Sequence, residues 1–535
     1  MRSKTGLVSR LALIAYSAAA LAPLAILFFS SASTSKEAQR MFRLLLEPRG
    51  LRAVGFTLAQ ATFSTIAALA IGLPGAALVA HYRFPGRKAL KTLAVLPFAL
   101  PSVLMVLAFV LFYGQAGYLN RFLMRALGLH EPPIGFLYSF WGIVLVHGFY
   151  EFPIVLQTVG EVWERLPRDR EDAARLLGAN RLRAWKTGTL PSLAPAIAQA
   201  AALSFLLCFF SFAVVMVFGG LSGSTLEVEV YRLSRLEADT ASATVLALAE
   251  TVIACGVVAL VSLCERGTAR GMAEAKSAGA PSDLKSPRGK AILALIAYAS
   301  FLALFFGGPM LSLVAQAFSV RSGPLGPASF GFNNFERLAS SEGFPSALFG
   351  TLGTALPAAL IATFAACVLA LASRSGGAAA KTAAALPLAV SGIVSSLGWS
   401  LLFPRGGLSL IPFVQALGSM PYVLKSVSAA LSTLDHRPIE AARCLGASRL
   451  CAAFGLELRA VFPAILAAFA FAFASSAGDL NVPLVLGQGG FETLSVYLYR
   501  LTSAYRFSEA CAAGVVLALI GSLAFAAKEG RRTDV

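Results

Sequence analysis

The chain has 535 residues, of which 57% are hydrophobic and only 13% charged, and its mean hydropathy is +0.73. A soluble core cannot bury that much apolar surface, so the composition excludes an ordinary soluble globular protein. The formal net charge is +17, but no basic stripe with interleaved aromatic residues accompanies it, which argues against nucleic-acid binding.

The first half contains apolar runs long enough to cross a membrane, which takes roughly 20 apolar residues per helix. These runs are Leu11–Phe29, Ala53–Ala80, Thr92–Asn120, Pro132–Tyr150, Thr187–Leu226 and Ala241–Cys264. Basic residues precede the first run, as they do in a secretory signal. That run is longer than a typical signal core and no clear A-x-A cleavage site follows it, so it predicts an uncleaved first span.

Residues 265–290 are rich in Gly, Ala, Ser and charge, and are expected to form a flexible cytoplasmic linker. Six further apolar runs follow in the same order: Ala291–Val320, Gly343–Ser373, Thr382–Phe403, Gly406–Leu424, Ala460–Gly478 and Ala510–Ala527. We therefore expect an all-α polytopic membrane protein with about 12 spans, divided into a first lobe (residues 1–264), the linker and a second lobe (residues 291–535).

The two halves repeat one another. The stretch Asp172–Ala179 (DAARLLGA) recurs as Glu440–Ala447 (EAARCLGA), where each residue number is 268 higher. The same offset relates Thr225–Arg232 to Thr493–Arg500. A repeat of this length predicts two parallel copies of one six-span unit.

Orientation follows from Lys and Arg in the short loops, which are retained in the cytoplasm. Most basic residues lie at the two termini and in residues 81–91, 160–190, 265–290, 373–381 and 425–462. The segment Lys36–Arg52 is the one basic loop on the opposite side. We expect both termini and both repeated loops, residues 160–190 and 432–462, to be cytoplasmic.

Each repeated loop has the features of a short capped helix. In the first copy, Pro167 and the acidic residues 169, 171 and 172 suit a first helical turn, and Gly178 suits a left-handed end. In the second copy Asp435, Pro438 and Glu440 come early and Gly446 ends the helix. Ala and Leu three positions apart would form a small apolar face that suits docking into a groove of another protein.

The repeated loop resembles the EAA loop of permease subunits of bacterial ABC importers, whose pattern is Glu-Ala-Ala, three residues, Gly, and a later Leu-Pro. The first copy follows it to Leu190-Pro191, with Asp172 in place of Glu. The second keeps Glu440, but Leu458-Arg459 replaces Leu-Pro and Pro463 comes later. The resemblance covers nearly the whole chain. The chain is similar to the fused two-lobed members of this family that transport thiamine or ferric iron. The stretches 206–212, 420–425, 457–460 and 497–506 look most like the thiamine permease.

This resemblance implies the type I ABC importer permease fold in the bacterial inner membrane. It also implies two copies of a cytoplasmic ABC ATPase, an extracytoplasmic solute-binding protein and a small-molecule substrate as partners, besides membrane lipid. ATP and magnesium would bind the partner ATPase, since this chain lacks the phosphate-binding G-x-x-x-x-G-K-[ST] loop and is expected to bind no cofactor and to have no catalytic site. The ATPase-coupling residues carried over are Asp172, Ala173, Ala174, Gly178, Glu440, Ala441, Ala442 and Gly446.

Four charged residues, Glu151, Glu250, Lys425 and Asp479, lie in or at the ends of apolar runs, where charge is costly. They are expected to face the transport pathway or a partner. Asp479, with Asn481 nearby, could attract a cation, and Ser211 is the equivalent of Asp479 in the first lobe. Asp479 could instead simply interrupt a span near Gly478 and Pro483.

Two alternatives remain open at this stage. The first is a ferric iron permease, although iron would require several oxygen ligands and the spans offer only isolated carboxylates. The second is an ion-coupled secondary transporter with two parallel repeats, which explains the spans but not a best-matched cytoplasmic loop. The seven cysteines and four histidines are scattered without ligand spacing, so no disulfide or metal site is expected.

Overall fold

The computed structural model describes residues 2–31, 43, 46–93, 100–166, 169–220, 223–277, 286–321, 328–372, 386–404, 407–435, 437–487 and 490–529. The helices of the first half are α1 (Arg2–Ser31), α2 (Pro48–His81), α3 (Arg87–Leu93), α4 (Ser102–Tyr113), α5 (Tyr118–Leu127), α6 (Phe140–Arg165), α7 (Asp169–Leu176), α8 (Arg181–Ala184), α9 (Leu190–Phe209), α10 (Ala213–Phe218), α11 (Leu226–Tyr231) and α12 (Thr240–Ser277).

The helices of the second half are α13 (Lys290–Leu302), α14 (Gly308–Ala317), α15 (Asn333–Ala339), α16 (Gly343–Ala372), α17 (Gly392–Leu402), α18 (Gly407–Ser432), α19 (Arg437–Cys444), α20 (Arg449–Ala452), α21 (Leu458–Ala460), α22 (Phe462–Gly478), α23 (Asn481–Leu486), α24 (Leu494–Ser503) and α25 (Phe507–Glu529). Two three-residue strands, Ser319–Arg321 and Ala328–Phe330, pair antiparallel after α14. The other regular elements of the described residues are helical, in agreement with the predicted all-α polytopic fold.

The described residues contain eight helical segments long and apolar enough to span a membrane, and four shorter apolar helices. The long segments are Pro48–His81, Ser102–Leu127, Phe140–Arg165, Arg181–Phe209, Thr240–Thr268, Lys290–Ala317, Gly343–Leu371 and Gly407–Ser432. The shorter ones are Ile14–Ser30, Gly392–Leu402, Phe462–Gly478 and Phe507–Leu523. Each predicted apolar run overlaps one of these segments, so the predicted polytopic architecture is confirmed.

The repeat extends to individual hydrogen bonds. In the first lobe the Thr57 hydroxyl accepts a bond of 2.8 Å from the backbone N–H of Leu226, at the start of α11. In the second lobe the Thr351 hydroxyl accepts a bond of 2.6 Å from the N–H of Leu494, at the start of α24. Both threonine side chains are fully buried. The same polar contact therefore fixes the same short helix in each lobe.

The run Thr187–Leu226, predicted as one span, is broken. Helix α9 ends at Phe209 and the short helix α10 follows; in the second lobe α22 ends at Gly478 and α23 follows in the same way. Nonhelical backbone at membrane depth requires protein rather than lipid around it, and Phe209, Phe212 and Leu480 are indeed buried at these breaks. Each break therefore lies inside the protein.

Part of the segment predicted as a flexible linker is helical. Helix α12 continues to Ser277, so residues 265–277 of the segment predicted as a flexible linker are helical. Residues 278–285 lie outside the described residues. The linker prediction was thus too long at its amino-terminal end, because charge and small residues lower apolarity without preventing a helix.

The two lobes exchange their first helices. Helix α1 packs on α17 of the second lobe, where Pro23 leaves no room for a side chain on Gly398. Helix α14 packs on α4 of the first lobe, and the preceding turn places the Phe305 ring parallel to that of Phe149 with a centroid distance of 5.8 Å. The largest hydrophobic core therefore runs continuously through both lobes.

Arg49 accounts for part of the positive charge on the side opposite the other basic loops. Its guanidinium donates to Glu229 at 2.8 Å and, through two nitrogens, to Glu237 at 2.7 and 2.9 Å. The neighbouring Arg49 lowers the pKa of the exposed Glu237 carboxyl, chiefly through these hydrogen bonds. Arg49 therefore serves an ion-pair network that joins α2 to the segment after α11.

Candidate functional site: repeated loops and an interface cavity

Each repeated loop contains a short helix followed by a tight turn. In the first loop α7 begins at Asp169, so Glu171 and Asp172 lie in its first turn as predicted, whereas Pro167 lies outside the described residues. In the second loop the Asp435 carboxylate accepts a bond of 3.0 Å from the N–H of Arg437, the first residue of α19. The predicted helix starts are therefore confirmed where they are described.

Both loop helices end with the same left-handed glycine. The φ angle is +87° at Gly178 and +92° at Gly446. In each copy the N–H of the following alanine donates 3.0 Å back to a carbonyl five residues earlier, from Ala179 to Ala174 and from Ala447 to Ala442. This bond closes a glycine-terminated helix end. The predicted positive φ at both glycines is confirmed.

The loop helices present apolar side chains to the outside of the chain. Leu177 is 89% exposed and its equivalent, Leu445, is 90% exposed. Asp172, Ala173, Glu440 and Ala441 are exposed as well, whereas Ala174 and Ala442 are half-buried. A fully exposed leucine beside a small helical face is a surface that another protein can cover.

In both loops, a polar side chain caps the short helix that follows the loop helix. The Asn180 side chain caps α8 by accepting a 2.8 Å bond from the N–H of Arg183, and Ser448, its equivalent, caps α20 at 3.1 Å. Helix α9 then starts at Leu190-Pro191. In the second lobe an extra turn, α21, intervenes before Phe462-Pro463 starts α22. The late proline of the second copy thus marks a later start of the apolar helix.

A polar cavity of about 250 Å³ lies where α1 meets the second lobe. Ala20 of α1 lines one side, and the second lobe supplies the polar groups. These polar side chains are Ser395, Gln415, Ser419, Ser475, Ser476, Asp479 and Asn481. Asp479 and Asn481, both predicted as pathway residues, therefore meet at one cavity.

Hydrogen bonds hold the Asp479 carboxylate in place. Its Oδ2 accepts 3.2 Å from Nε2 of Gln415, and its Oδ1 accepts 3.0 Å from the backbone N–H of Asn481. Asp479 is also the residue that ends α22. It interrupts the span, as the structural alternative predicted, and it lines the cavity as well.

Ser211 does not line this cavity. It is buried, and its hydroxyl lies 2.7 Å from Nε2 of His147, whose Nδ1 lies 2.8 Å from Nε2 of Gln60. His147 and Gln415 are equivalent under the 268-residue offset, as are Ser211 and Asp479. The same two positions are therefore coupled in each lobe, but only the second lobe places a carboxylate there.

The other charged residues of the spans lie apart from the cavity. Lys425 of α18 forms an ion pair with Glu265 of α12. This lysine therefore has a charged partner, as expected. Glu151 is buried within α6. Neither residue lines the cavity that contains Asp479.

Sequence reasoning missed Glu227. This residue lies on α11, its side chain is fully buried, and its Oε1 accepts a 3.4 Å bond from Nδ2 of Asn481 in the other lobe. Glu250 of α12 lies close to it. The sequence did contain a signal for this residue: Glu227 lies in the matched stretch 225–232, at the position where the second lobe has Ser495.

Comparisons with known proteins agree with this architecture. The family described as binding-protein-dependent transport system inner membrane component matches residues 72–266 and 346–527, once in each lobe. The thiamine transport system permease protein ThiP of Escherichia coli (strain K12) is 27% identical over 88% of this chain and 87% of its own length. Its counterpart from Salmonella typhimurium is 28% identical over 87% and 86%.

A shorter relative is similar to one part of the chain. The putative 2-aminoethylphosphonate transport system permease protein PhnU of Salmonella choleraesuis is 31% identical over 40% of this chain and 74% of its own length. The family match in both lobes decides against the ion-coupled alternative. The chain belongs to the binding-protein-dependent inner-membrane permeases of ABC importers, in a form that fuses both lobes.

Proposed function

We propose that this chain is the permease subunit of an ATP-driven importer for thiamine or its phosphate esters. The observation that carries the cargo is the match to thiamine permeases along 86–88% of both chains. Asp479, a carboxylate held at a cavity inside the membrane region, is chemically suited to a thiazolium cation. A ferric iron importer, the earlier alternative, has no such support among these relatives.

We further propose that ATP and magnesium bind a separate cytoplasmic ATPase, of which two copies associate with one permease chain. The two loop helices support this stoichiometry because each lobe presents an exposed Leu, Leu177 or Leu445, beside a glycine-closed helix end. Asp172, Ala173, Ala174 and Gly178 would contact one ATPase, and Glu440, Ala441, Ala442 and Gly446 the other. Closure of the ATPase pair would move the two loops, and the lobes with them.

A solute-binding protein would deliver the substrate on the opposite side of the membrane. The loops 160–190 and 432–462 would then be cytoplasmic, together with both termini, as the distribution of basic residues indicates. Substrate would enter between the lobes and reach the cavity beside Asp479 and Asn481. Ser211 would serve as the uncharged counterpart of Asp479 rather than as a direct ligand.

The test is uptake by the complete complex. The permease, its ATPase and its binding protein are reconstituted into proteoliposomes with ATP on the ATPase side, and labelled thiamine is supplied on the other side. Ferric iron and 2-aminoethylphosphonate are measured in parallel. We expect ATP-dependent accumulation of thiamine, and none when the ATPase carries a substitution that abolishes hydrolysis.

Two results would contradict the proposal in different ways. Accumulation of iron or 2-aminoethylphosphonate without thiamine would reject the cargo and leave the permease assignment intact. Thiamine accumulation that persists without ATP or without the ATPase would reject the proposed division of labour. Binding of thiamine to the isolated solute-binding protein provides a control for loss of protein activity during purification.

A further inference from the structure

Two buried carboxylates beside the cavity have no balancing positive charge in the part of the chain that the structure describes. The side chains of Glu227 and Glu250 are fully buried, and neither forms an ion pair with a described residue. Both carboxylate oxygens of Glu250 and Oε2 of Glu227 lack a hydrogen bond within 3.5 Å among those residues. Such groups are costly to bury unless they receive a proton or a cation.

Glu229 provides an internal comparison, since it is buried on the same short helix two residues after Glu227. Its carboxylate pairs with Arg49 at 2.8 Å and with Arg232 at 3.2 Å. Glu229, the buried glutamate of α11 with a structural role, therefore has arginines as ion-pair partners. The absence of any such pairing at Glu227 in the described residues points to a ligand rather than to a structural ion pair.

The groups that approach the two carboxylates are neutral and come from the second lobe. Asn481 donates to Glu227 at 3.4 Å, the backbone of Ile393 lies near Glu227, and Ser391 lies near both Glu227 and Glu250. Neutral donors solvate a carboxylate without cancelling its charge. Because α11 and α12 belong to the first lobe, the pair lies on the boundary between the lobes.

Asn481 separates this pair from the cavity. The same side chain lines the cavity that contains Asp479 and donates to Glu227 behind it. The contact is long, at 3.4 Å, and joins residues of different lobes. Relative movement of the lobes would break it and connect the two acidic sites.

We propose that Glu227 and Glu250 form a second binding site for an organic cation, to which the substrate passes from Asp479 when the Asn481 contact opens. This inference rests on the proposed function, and it specifies the charge class of the substrate and the residues that select it. Among the described residues no three His, Cys, Asp or Glu side chains are grouped to hold a metal ion. A monovalent organic cation, which needs fewer ligands, fits two carboxylates with neutral donors around them.

The first test measures occupancy of the site without any substitution. The complete complex in detergent is treated with dicyclohexylcarbodiimide, which modifies carboxyl groups in apolar surroundings, and the modified residues are mapped by mass spectrometry. We expect modification at Glu227 or Glu250, and at least a threefold decrease in the presence of thiamine or benzyltrimethylammonium. Thiochrome, the neutral oxidation product of thiamine, should not protect, and modification of Glu151 should be the same in all samples.

The second test measures transport by Glu227→Gln and Glu250→Gln. Removing one charge from a buried cation site should raise the KM for thiamine uptake about tenfold, while uptake at saturating thiamine changes less. Glu151→Gln is the matched control, since it also removes a buried carboxylate but lies outside the site; its KM should equal that of the wild type. If a variant fails to assemble, protection of Glu227 and Glu250 from modification in the first test still decides whether the site exists.

The two proposals fail in distinguishable ways. If the wild-type complex accumulates thiamine but neither cation protects Glu227 or Glu250, the second site is rejected and the cargo assignment stands. If benzyltrimethylammonium protects these residues while thiamine is neither protective nor transported, the cation site stands and thiamine is rejected. Equal protection of Glu151 would show a general effect of the cation and would reject the site.

Discussion

Gln415 donates from Nε2 to Oδ2 of Asp479 at 3.2 Å, and this bond has an exact positional equivalent in the contact between His147 and Ser211 in the first lobe. The repeated unit has kept the pairing of the two positions while the chemistry has changed. A hydroxyl in one lobe corresponds to a carboxylate in the other. At this pair of equivalent positions, the path is therefore expected to carry a negative charge only on the side of the second lobe.

Asp479→Asn should raise the KM for thiamine uptake about tenfold, because the amide keeps the size of the side chain and removes the charge. Ser211→Ala is the matched variant in the first lobe. It removes a buried hydrogen bond, which costs about 1 kcal/mol of stability, but no charge from the path. Initial uptake rates in proteoliposomes measure both; an equal rise in KM for Ser211→Ala would contradict the asymmetry.

Gly178→Val and Gly446→Val should weaken stimulation of the ATPase by the loaded binding protein. A β-branched residue at φ near +90° adds roughly 1–3 kcal/mol of strain, and no neighbouring atom lies within 4 Å of the added carbon, so the effect is one of backbone conformation. Gly178→Asn and Gly446→Asn are the controls, since asparagine tolerates left-handed backbone. Full stimulation by the double valine variant would exclude a coupling role for both turns.

Arg49→Met should lower thermal stability more than Glu237→Gln. The Glu229 side chain is only 5% exposed, so loss of Arg49 leaves a buried carboxylate with Arg232 as its one described partner, at a cost of about 1–3 kcal/mol. Glu237 is 40% exposed, so its loss should destabilise the protein less than the loss of Arg49. Melting temperatures of the purified permease in detergent provide the comparison, and the reverse order would contradict this assignment.

The pH dependence of that ion pair has a definite sign. Arg49 lowers the pKa of Glu237, so the pair contributes stability above the ordinary pKa of a glutamate. The contribution is lost as the pH falls through the lowered pKa. The difference in melting temperature between the wild type and Glu237→Gln should therefore disappear in acid.

Ala238→Gly should stabilise the protein by about 0.5–1 kcal/mol, because alanine occupies a left-handed conformation there with φ of +55°. Tyr505 holds the equivalent position before the last helix of the second lobe, with φ of +58°. Ala241→Gly, three residues later within α12, is the control and should destabilise. A lower melting temperature for Ala238→Gly would show that the methyl group has a packing role.

Much of this architecture was predictable from the sequence, because lipid restricts what a span can be. Apolar runs such as Ala53–Ala80 and the glycines at 178 and 446 follow local rules of composition and backbone conformation. The packing partner of each span does not follow from such local rules. Nothing in the run Leu11–Phe29 indicates that α1 packs on the opposite lobe, since lipid and protein both accept apolar side chains.

The acidic site shows the same limit. Asp479 stood out as a charge at the end of a long apolar run, whereas Glu227 follows the predicted run Thr187–Leu226, in a short segment that alternates charged and apolar residues. In the structure, α9 ends before this segment, and the short helices α10 and α11 turn back into the protein, so the segment lies inside. A broken helix cannot be read from hydropathy, because the apolar run continues through the break.

The exchanged first helices set an order for biogenesis. Helix α1 is synthesised before its packing partner around Gly398, which lies in the second lobe. During that interval α1 must remain stable in the bilayer by its own apolarity, with lipid in place of protein around it. Insertion of the first lobe therefore precedes its completion, and the contact between α1 and the second lobe forms only after α17 has been synthesised.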